Sequence, residues 1–571
     1  MTSTMATTPH PTAAKPSSDD LTEKPTTDTV EASEASTPVH KQLAESRRVL
    51  VVCSLCMVVF IAALDTVAMT VALPSIVQNL EASDSAYSWI ASAYLLAQCV
   101  TAPIWGKFSD VFGRKPVLLV ANALFFAASL IAALSVNTAM LLVARTAQGV
   151  GAGGLLVLAN ICISDLFSLR ERAKYLGLLG AVWAVAVALA PLIGGALTER
   201  LSWRWIFWIN LPCIALSILL LATFLRVHNQ GTTLLAGLKA IDWLGTVLVI
   251  AGTTILLVGL QFGGVTYPWS SATVICLLLF GILTLLAFGF VQWRVSTSPL
   301  IPSVIFTQRS NIAVLIVCFC QSLAFMASAF FLPLYFQLVL GASSLLSGVW
   351  FLPLALTFSV FCVATGVFIR RTGHYLAVIR VGLLAMTLGC GLFVTFPSHA
   401  DWPRIICFQG VAAIGIGLNF YAPLLALQAH LEPPKIAAGT SAFQFVRMLS
   451  NAISLVIGQV IVQSQVQAQS AGLLVADVPP SLMAQLGKGN IIEAVASIRE
   501  LSPGQQEKLL NILTFGFSRM WIFYSVVSFV GLMASLSITN VRTQSTQVGV
   551  KSEEDNIEMG QQAGVEVGSK S

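Results

Sequence analysis

The sequence predicts an all-α membrane protein of about fourteen spanning helices, and three observations predict it. The 571-residue chain is 56% hydrophobic and only 10% charged, with a mean hydropathy of +0.82. That is more apolar surface than one soluble core can bury, so the apolar runs must face lipid. Roughly fourteen such runs approach the ~20 residues that a helix needs to cross a hydrocarbon layer. The third observation is that the cations collect in short segments between runs. The net charge of +5 therefore encodes topology and is not a patch for nucleic acid.

Residues 1–46, rich in Thr, Ser, Ala, Pro and Glu, lack both an apolar core and a cleavage-site pattern, and read as a disordered cytoplasmic tail. Apolar runs follow near 49–73, 87–105, 116–135, 140–163, 174–197, 205–225, 243–262, 272–292, 311–333, 345–368, 376–396, 404–427, 438–463 and 519–538. A second solvated tail, 541–571, carries the acidic run Glu553-Glu554-Asp555. With the N-terminus inside, the cytoplasmic ends hold Arg47, Arg48, Lys107, Arg114, Lys115, Arg170, Arg172, Lys174, Arg309, Arg370, Arg371 and Lys435, while the outer loops hold chiefly Arg200, Arg204 and Arg404. Both termini are accordingly expected in the cytoplasm.

The one long outer segment is 465–518. In it, Ser502 and Pro503 have the pattern of a cap and first turn for a short helix through Leu509 and Leu510, resting on the membrane surface or over the outer mouth. The chain has no N-x-[ST] sequon, so no N-linked glycan is expected. All eleven cysteines, from Cys53 to Cys407, fall in apolar runs and read as packing residues.

Between the second and third runs lies GKFSDVFGRK, Gly106 to Lys115. Gly106 and Gly113 suit a sharp backbone turn or a close helix contact. Lys107, Arg114 and Lys115 would hold the reversal in the cytoplasm. Asp110 is either a solvated charge or a group that pairs with a neighbouring helix end in one conformation and releases it in another. This stretch resembles the loop between the second and third helices of the major facilitator superfamily, roughly G-x-L-a-D-x-x-G-R-[KR], departing from it at Phe108 and Ser109. A weaker echo, GVFIRRTGHY from Gly366 to Tyr375, follows the tenth run.

Three ionisable groups lie deep in apolar runs, where each costs about 2.5 kcal/mol or more unless it faces a cavity, a partner or a pathway. Asp65, in LDTVAMTVALPSI, sits roughly 24 Å up its helix from Val49, and Arg145, in LLVARTAQGVGAGG, about 6 to 9 Å below the outer face, so their depths match. They can form a pair, the cheapest way to bury either, and a carboxylate that gains and loses such a partner can exchange a proton. Otherwise Asp65 caps a kink and Arg145 snorkels outward. Gly149, Gly151, Gly153 and Gly154 read as one small helix face for close packing. Arg447, in the thirteenth run, has no partner that the sequence identifies.

The fifth run contains ALAPLIGGALTE, in which Pro191 removes a backbone hydrogen bond and Gly194-Gly195 allows close contact, giving a bend against a neighbour. It resembles the antiporter motif G-P-x-x-G-G of drug:proton exchangers, with Ala190 in place of the first glycine. Next comes SWRWIFWINLP, whose Trp203, Trp205 and Trp208 suit a membrane boundary. Taken with LDTVAMTVALP, GKFSDVFGRK, ARTAQGVGAGG and GTSAFQFVRMLSNA, it resembles the fourteen-helix drug:proton antiporter family, in particular its fungal toxin and secondary-metabolite efflux branch, over about residues 45–540.

The resemblance implies a major-facilitator-type fold with six-helix bundles at 47–226 and 309–540 as parallel repeats, separated by two inserted helices at 240–295. It implies a proton-coupled exporter of hydrophobic or amphipathic small molecules such as toxins, secondary metabolites or drugs. Asp65 and Arg145 would couple protons, Gly106, Asp110, Gly113, Arg114 and Lys115 would form the conformational switch, and Pro191, Gly194 and Gly195 the bend. Candidates for the substrate cavity are Gln321, Phe325, Phe330, Asn419, Phe420, Tyr421 and Arg447, as aromatics and amides on the ninth, twelfth and thirteenth runs. A siderophore-type importer and, less favoured, a non-transporting sensor remain as alternatives. No Walker loop appears, and the expected partners are a small molecule, protons and lipid, with no cofactor, no metal and no enzymatic activity. A monomer in the plasma membrane is expected, or else in a vacuolar or vesicle membrane.

Overall fold

A computed structural model of the chain describes residues 38–80, 84–225, 234–264, 266–469, 479 and 501–540. The expected tails, apart from 38–46, and most of the outer segment 465–518 lie outside these residues. The described chain is helical, with one isolated β-bridge between Gly263 and Tyr267. Its helices are α1 (Pro38–Asn79), α2 (Asp84–Phe112), α3 (Arg114–Ala133), α4 (Thr138–Leu166), α5 (Leu169–Arg200), α6 (Trp205–Trp208), α7 (Asn210–Phe224), α8 (Leu234–Lys239) and α9 (Trp243–Phe262). They continue as α10 (Ala272–Arg294), α11 (Val304–Thr307), α12 (Arg309–Leu338), α13 (Ser344–Thr372), α14 (Tyr375–Phe393), α15 (Trp402–Asn419), α16 (Ala422–Ala429), α17 (Ile436–Ala468) and α18 (Pro503–Ser535).

Among the described residues, 13 stretches are long and apolar enough to cross a membrane, and the more polar second run, α2, adds a helix of 29 residues. Local chemistry sets several starts. Asn137, Asp242, Ser271, Ser343 and Asp401 each accept a hydrogen bond from the backbone N–H three residues on, satisfying a donor that the first turn leaves free.

The structure moves several expected boundaries. Helix α1 begins at Pro38, inside the expected tail 1–46. The sixth run is split at Ile209 between α6 and α7, and the twelfth at Phe420-Tyr421 between α15 and α16. Ser502 and Pro503 do start a helix, with a capping box to Gln505, but that helix is not a short surface element. It runs unbroken for 33 residues into the last span, ~50 Å at 1.5 Å per residue, because no proline or glycine cap stops it after Leu510. Cys53, Cys276 and Cys407 lie exposed on the bundle surface, so packing in the core accounts only for the others. Trp203 is buried edge-on against Phe207, whereas Trp205 is exposed, so only part of the tryptophan cluster can sit at a boundary.

Close helix crossings are made where glycine removes the side chain. The glycines of α4 do not form one face: Gly149 and Gly153 lie against α2, Gly151 against Phe125 of α3, and Gly154 against Trp105 and Ala121. A β-carbon on Gly153 would stand 2.7 Å from the Gln98 carbonyl oxygen, which permits no larger residue. Helix α5 packs along α13, where Gly177 approaches the Cys362 carbonyl and Gly366 approaches Ala173. Helices α9 and α10 pair with each other, and α10 turns Leu279, Phe280, Leu283, Leu286 and Phe290 outward, as a lipid-facing helix does.

Candidate functional site

Asp65 on α1 is fully buried, and Arg145 on α4 is 1% exposed. Arg145 Nη1 donates to Asp65 Oδ2 at 2.5 Å. The other carboxylate oxygen accepts from Asn210 Nδ2 at 3.1 Å and from Gln148 Nε2 at 3.5 Å. Arg145 also donates to Gln148 Oε1 at 3.0 Å and to the Ile90 carbonyl at 3.4 Å, and its guanidinium lies 4.3 Å from the Tyr94 ring centroid. Gln148 is held in turn by Ser129. Four helices, α1, α2, α4 and α7, therefore converge on one ion pair, and each charge has hydrogen-bond partners besides the other charge.

Sequence reasoning singled out the pair but gave Gln148, Asn210 and Tyr94 no part in it. The signal available was an amide standing inside two of the quoted motifs, ARTAQGVGAGG and SWRWIFWINLP. The same site touches the proline-glycine stretch of α5: Gly194 packs on Ala68, one turn along α1 from Asp65, where a β-carbon would stand 2.9 Å from the Ala68 carbonyl oxygen. Gly195 is buried beside it, and Pro191, inside the helix, meets Gly348 of α13.

The reversal from Gly106 to Lys115 forms a second polar group. Gly113 has φ +92°, which glycine adopts without strain, and the chain turns there from α2 into α3. Arg114 bridges two carboxylates, Asp110 at 2.5 Å and Asp165 of α4 at 2.8 Å, and donates to Ser109 Oγ at 2.8 Å. Ser109, one of the departures from the superfamily pattern, thus supplies an acceptor. Burial pushes the Asp110 carboxyl above its ordinary range, while Arg114 and then Lys107 oppose that shift. Lys107 reaches Ser298 at 2.7 Å, and Lys115 reaches the Ala222 carbonyl at 2.6 Å.

Gly106 lies against Ser441 of α17, so closely that a β-carbon would overlap the serine hydroxyl. The echo repeats this geometry: Gly373 has φ +74°, and Gly366 lies against Ala173 of α5. At the same end Gln428, which the sequence gave no reason to select, donates to Ser164 of α4 at 2.8 Å and to Thr440 of α17 at 3.0 Å, and accepts from Arg172 of α5. These contacts join α2, α4 and α5 to α13, α16 and α17.

The candidate cavity residues divide. Phe325, Phe358 and Phe420 form a three-ring cluster with centroids 5.1 to 5.6 Å apart, and Tyr421 stands edge-on to Phe420. Arg447 donates to the Phe420 carbonyl, which the break between α15 and α16 leaves free. Its guanidinium lies 4.5 Å from the Phe420 ring, 5.0 Å from Phe443 and 5.3 Å from Tyr421. Gln321, 1% exposed, lies one helical turn before Phe325. Asn419 points elsewhere, bonded to the Gly415 carbonyl and packed against Gly382 of α14, and Phe330 pairs with Phe331 further along α12.

A family description matching residues 55–455 is that of the Major Facilitator Superfamily. The chain belongs to that superfamily, and is a multi-pass membrane transporter of about fourteen helices. It is 44% identical over 497 residues to the efflux pump dotC of Dothistroma septosporum, covering 87% of this chain and 85% of the relative. It is 46% identical over 487 residues to the MFS-type transporter ppz2 of Metarhizium majus, covering 85% and 83%. The efflux pump FUS6 of Gibberella moniliformis is 32% identical over 538 residues, covering 92% and 94%. Among solved structures, the human organic anion transporter MFSD10 (TETRAN) is similar in fold, with a TM-score of 0.50, 17% identity, and 85% of this chain and 99% of that one covered.

Proposed function

We propose that the protein exports hydrophobic or amphipathic small molecules of the toxin or secondary-metabolite kind in exchange for protons, and that Asp65 takes up the proton. The observation that carries the reading is the fully buried Asp65–Arg145 ion pair inside the spanning helices. In the structure Arg145 donates to the carboxylate. A rocking motion that draws α4 away from α1 leaves the buried carboxylate without its cation and with Asn210 as its remaining donor, and taking a proton is the cheapest way to remove that charge. Proton uptake is then tied to conformation.

The direction, export, follows the names of the relatives, of which several are efflux pumps. The bundles 47–226 and 309–540 would rock about a central cavity, with the reversal and its echo as the contacts that open and close one end. We place that end and both termini in the cytoplasm, on the positive-inside rule, and the protein in the plasma membrane as a monomer.

The test is gradient-driven movement of a fluorescent amphipath in reconstituted vesicles. The wild type is expected to move the probe only with an imposed pH gradient, and Asp65→Asn to lose that dependence. Wild-type rates in Asp65→Asn would remove Asp65 from the mechanism and turn attention to Asp110, Asp165 and Glu199. Movement of the probe in the direction of the protons would favour the importing alternative.

A further inference from the structure

Two arginines lie deep in this bundle, and only one of them is neutralised. Arg145 has a carboxylate, an amide and a carbonyl as acceptors. Arg447, 7% exposed on α17, is in none of the ion pairs found among the described residues. A guanidinium cannot shed its proton, so the charge persists wherever it is buried. The Phe420 carbonyl and three aromatic rings offset part of that cost, as a cation near a helix C-terminus and over ring faces does. Its Nε–H nevertheless has no acceptor.

A second donor is unpartnered in the same region. Gln321 Nε2 is buried with no acceptor, while its Oε1 is used by Ser322. On α12, residues 318, 321 and 325 share one face by their three- and four-residue spacing. Cys318 bonds to the Phe443 carbonyl, beside Arg447, and Phe325 meets Phe420. Gln321 stands along α12 between those two contacts, one turn before Phe325. Gly180 of α5 packs closely on the same group, with Cys362 Sγ 2.8 Å and Phe420 and Tyr421 3.2 Å from where its β-carbon would be.

We propose that this group is an anion subsite, and that the transported compounds are planar aromatic acids whose carboxylate or phenolate is held by Arg447 and Gln321 while the ring system replaces contacts among Phe325, Phe358 and Phe420. The inference rests on the export reading above and adds the substrate's charge to it. Two unsatisfied buried donors, one permanently cationic, are matched by an anionic acceptor and by no neutral apolar molecule.

The experiment uses the full-length protein in detergent and three probes: 9-anthracenecarboxylate, its neutral 9-carboxamide, and the cation tetraphenylphosphonium, with binding read from tryptophan fluorescence. The acid is expected to bind about tenfold more tightly than the amide, the scale of one hydrogen bond to a charged group. Arg447→Gln is expected to bring the two within about twofold, and Arg447→Lys to keep most of the preference. Should Arg447→Gln fail to fold, Gln321→Leu tests the same site: a loss of roughly fivefold for the acid, with the amide unchanged. Equal affinity for acid and amide in the wild type, a preference for the cation, or an undiminished preference in Arg447→Gln or Gln321→Leu overturns the proposal. Because binding is read without a gradient, a protein that selects the acid yet shows no gradient-driven movement refutes proton-coupled export and leaves the anion subsite standing.

Discussion

Removing one charge of the Asp65–Arg145 pair should cost more than removing both, and the structure fixes the size of that difference. Both side chains are at most 1% exposed, so water cannot solvate whichever charge is left behind. Breaking a buried pair from one side costs about 3 to 5 kcal/mol. The two singles are not equivalent. In Arg145→Gln the remaining carboxylate keeps Asn210 and Gln148 as donors and can neutralise itself by taking a proton. In Asp65→Asn the remaining guanidinium keeps Gln148, the Ile90 carbonyl and the Tyr94 ring, but it cannot shed its proton. Asp65→Asn should therefore be the more destabilising single, near the upper part of that range.

In the double variant Asp65→Asn/Arg145→Gln both charges are gone, and two amides of similar length can bond to each other and to Asn210 and Gln148. Its cost should stay at or below that of Asp65→Asn alone, a departure from additivity of roughly 3 kcal/mol. The assay is unfolding of the four proteins in one detergent, followed by tryptophan fluorescence across a denaturant series. Additive costs, within about 0.5 kcal/mol, would refute the claim that the two charges stabilise each other. The same four proteins in vesicles should show gradient-driven transport in the wild type alone.

Other expectations follow from the helix contacts. Gly106→Val forces α2 and α17 apart at the reversal, since even a β-carbon overlaps Ser441. A cysteine at Ser164, buried against Gln428, should then react with a small thiol reagent several-fold faster than in the Gly106 background, and an unchanged rate would show that the contact is not a closure. For orientation, Ser109 is a poor reporter because it is buried against Arg114, and Ser481 lies outside the described residues. Exposed Thr372 and His399 are better placed. In a cysteine-free background, Thr372→Cys should react with an impermeant reagent only after permeabilisation and His399→Cys in intact cells; the reverse pattern overturns the cytoplasmic assignment.

The helix count, the reversal and the Asp65–Arg145 depth match were legible in the chain because each rests on short-range information: the length of an apolar run, a glycine beside cations, a rise of 1.5 Å per residue. The breaks at Ile209 and Phe420-Tyr421 were not, since hydropathy is continuous across both. Nor could hydropathy show that the helix begun at Ser502 continues to Ser535.

What only the tertiary structure decided is which neutral side chains complete the charged ones. Gln148, Asn210 and Tyr94 come from three helices to one carboxylate and its arginine, and Gln428 ties α4 to α17, because hydrogen bonds between helices depend on rotation about each axis. A rotation of 100° per residue means that a one-residue shift in facing changes every partner. Asn419 and Phe420 show this directly: adjacent in sequence and alike in promise, one packs toward α14 and the other under Arg447. By itself the sequence determined that buried charges exist and at what depth, since composition and spacing set both. Which of them is neutralised from within the protein was decided by the packing of the helices.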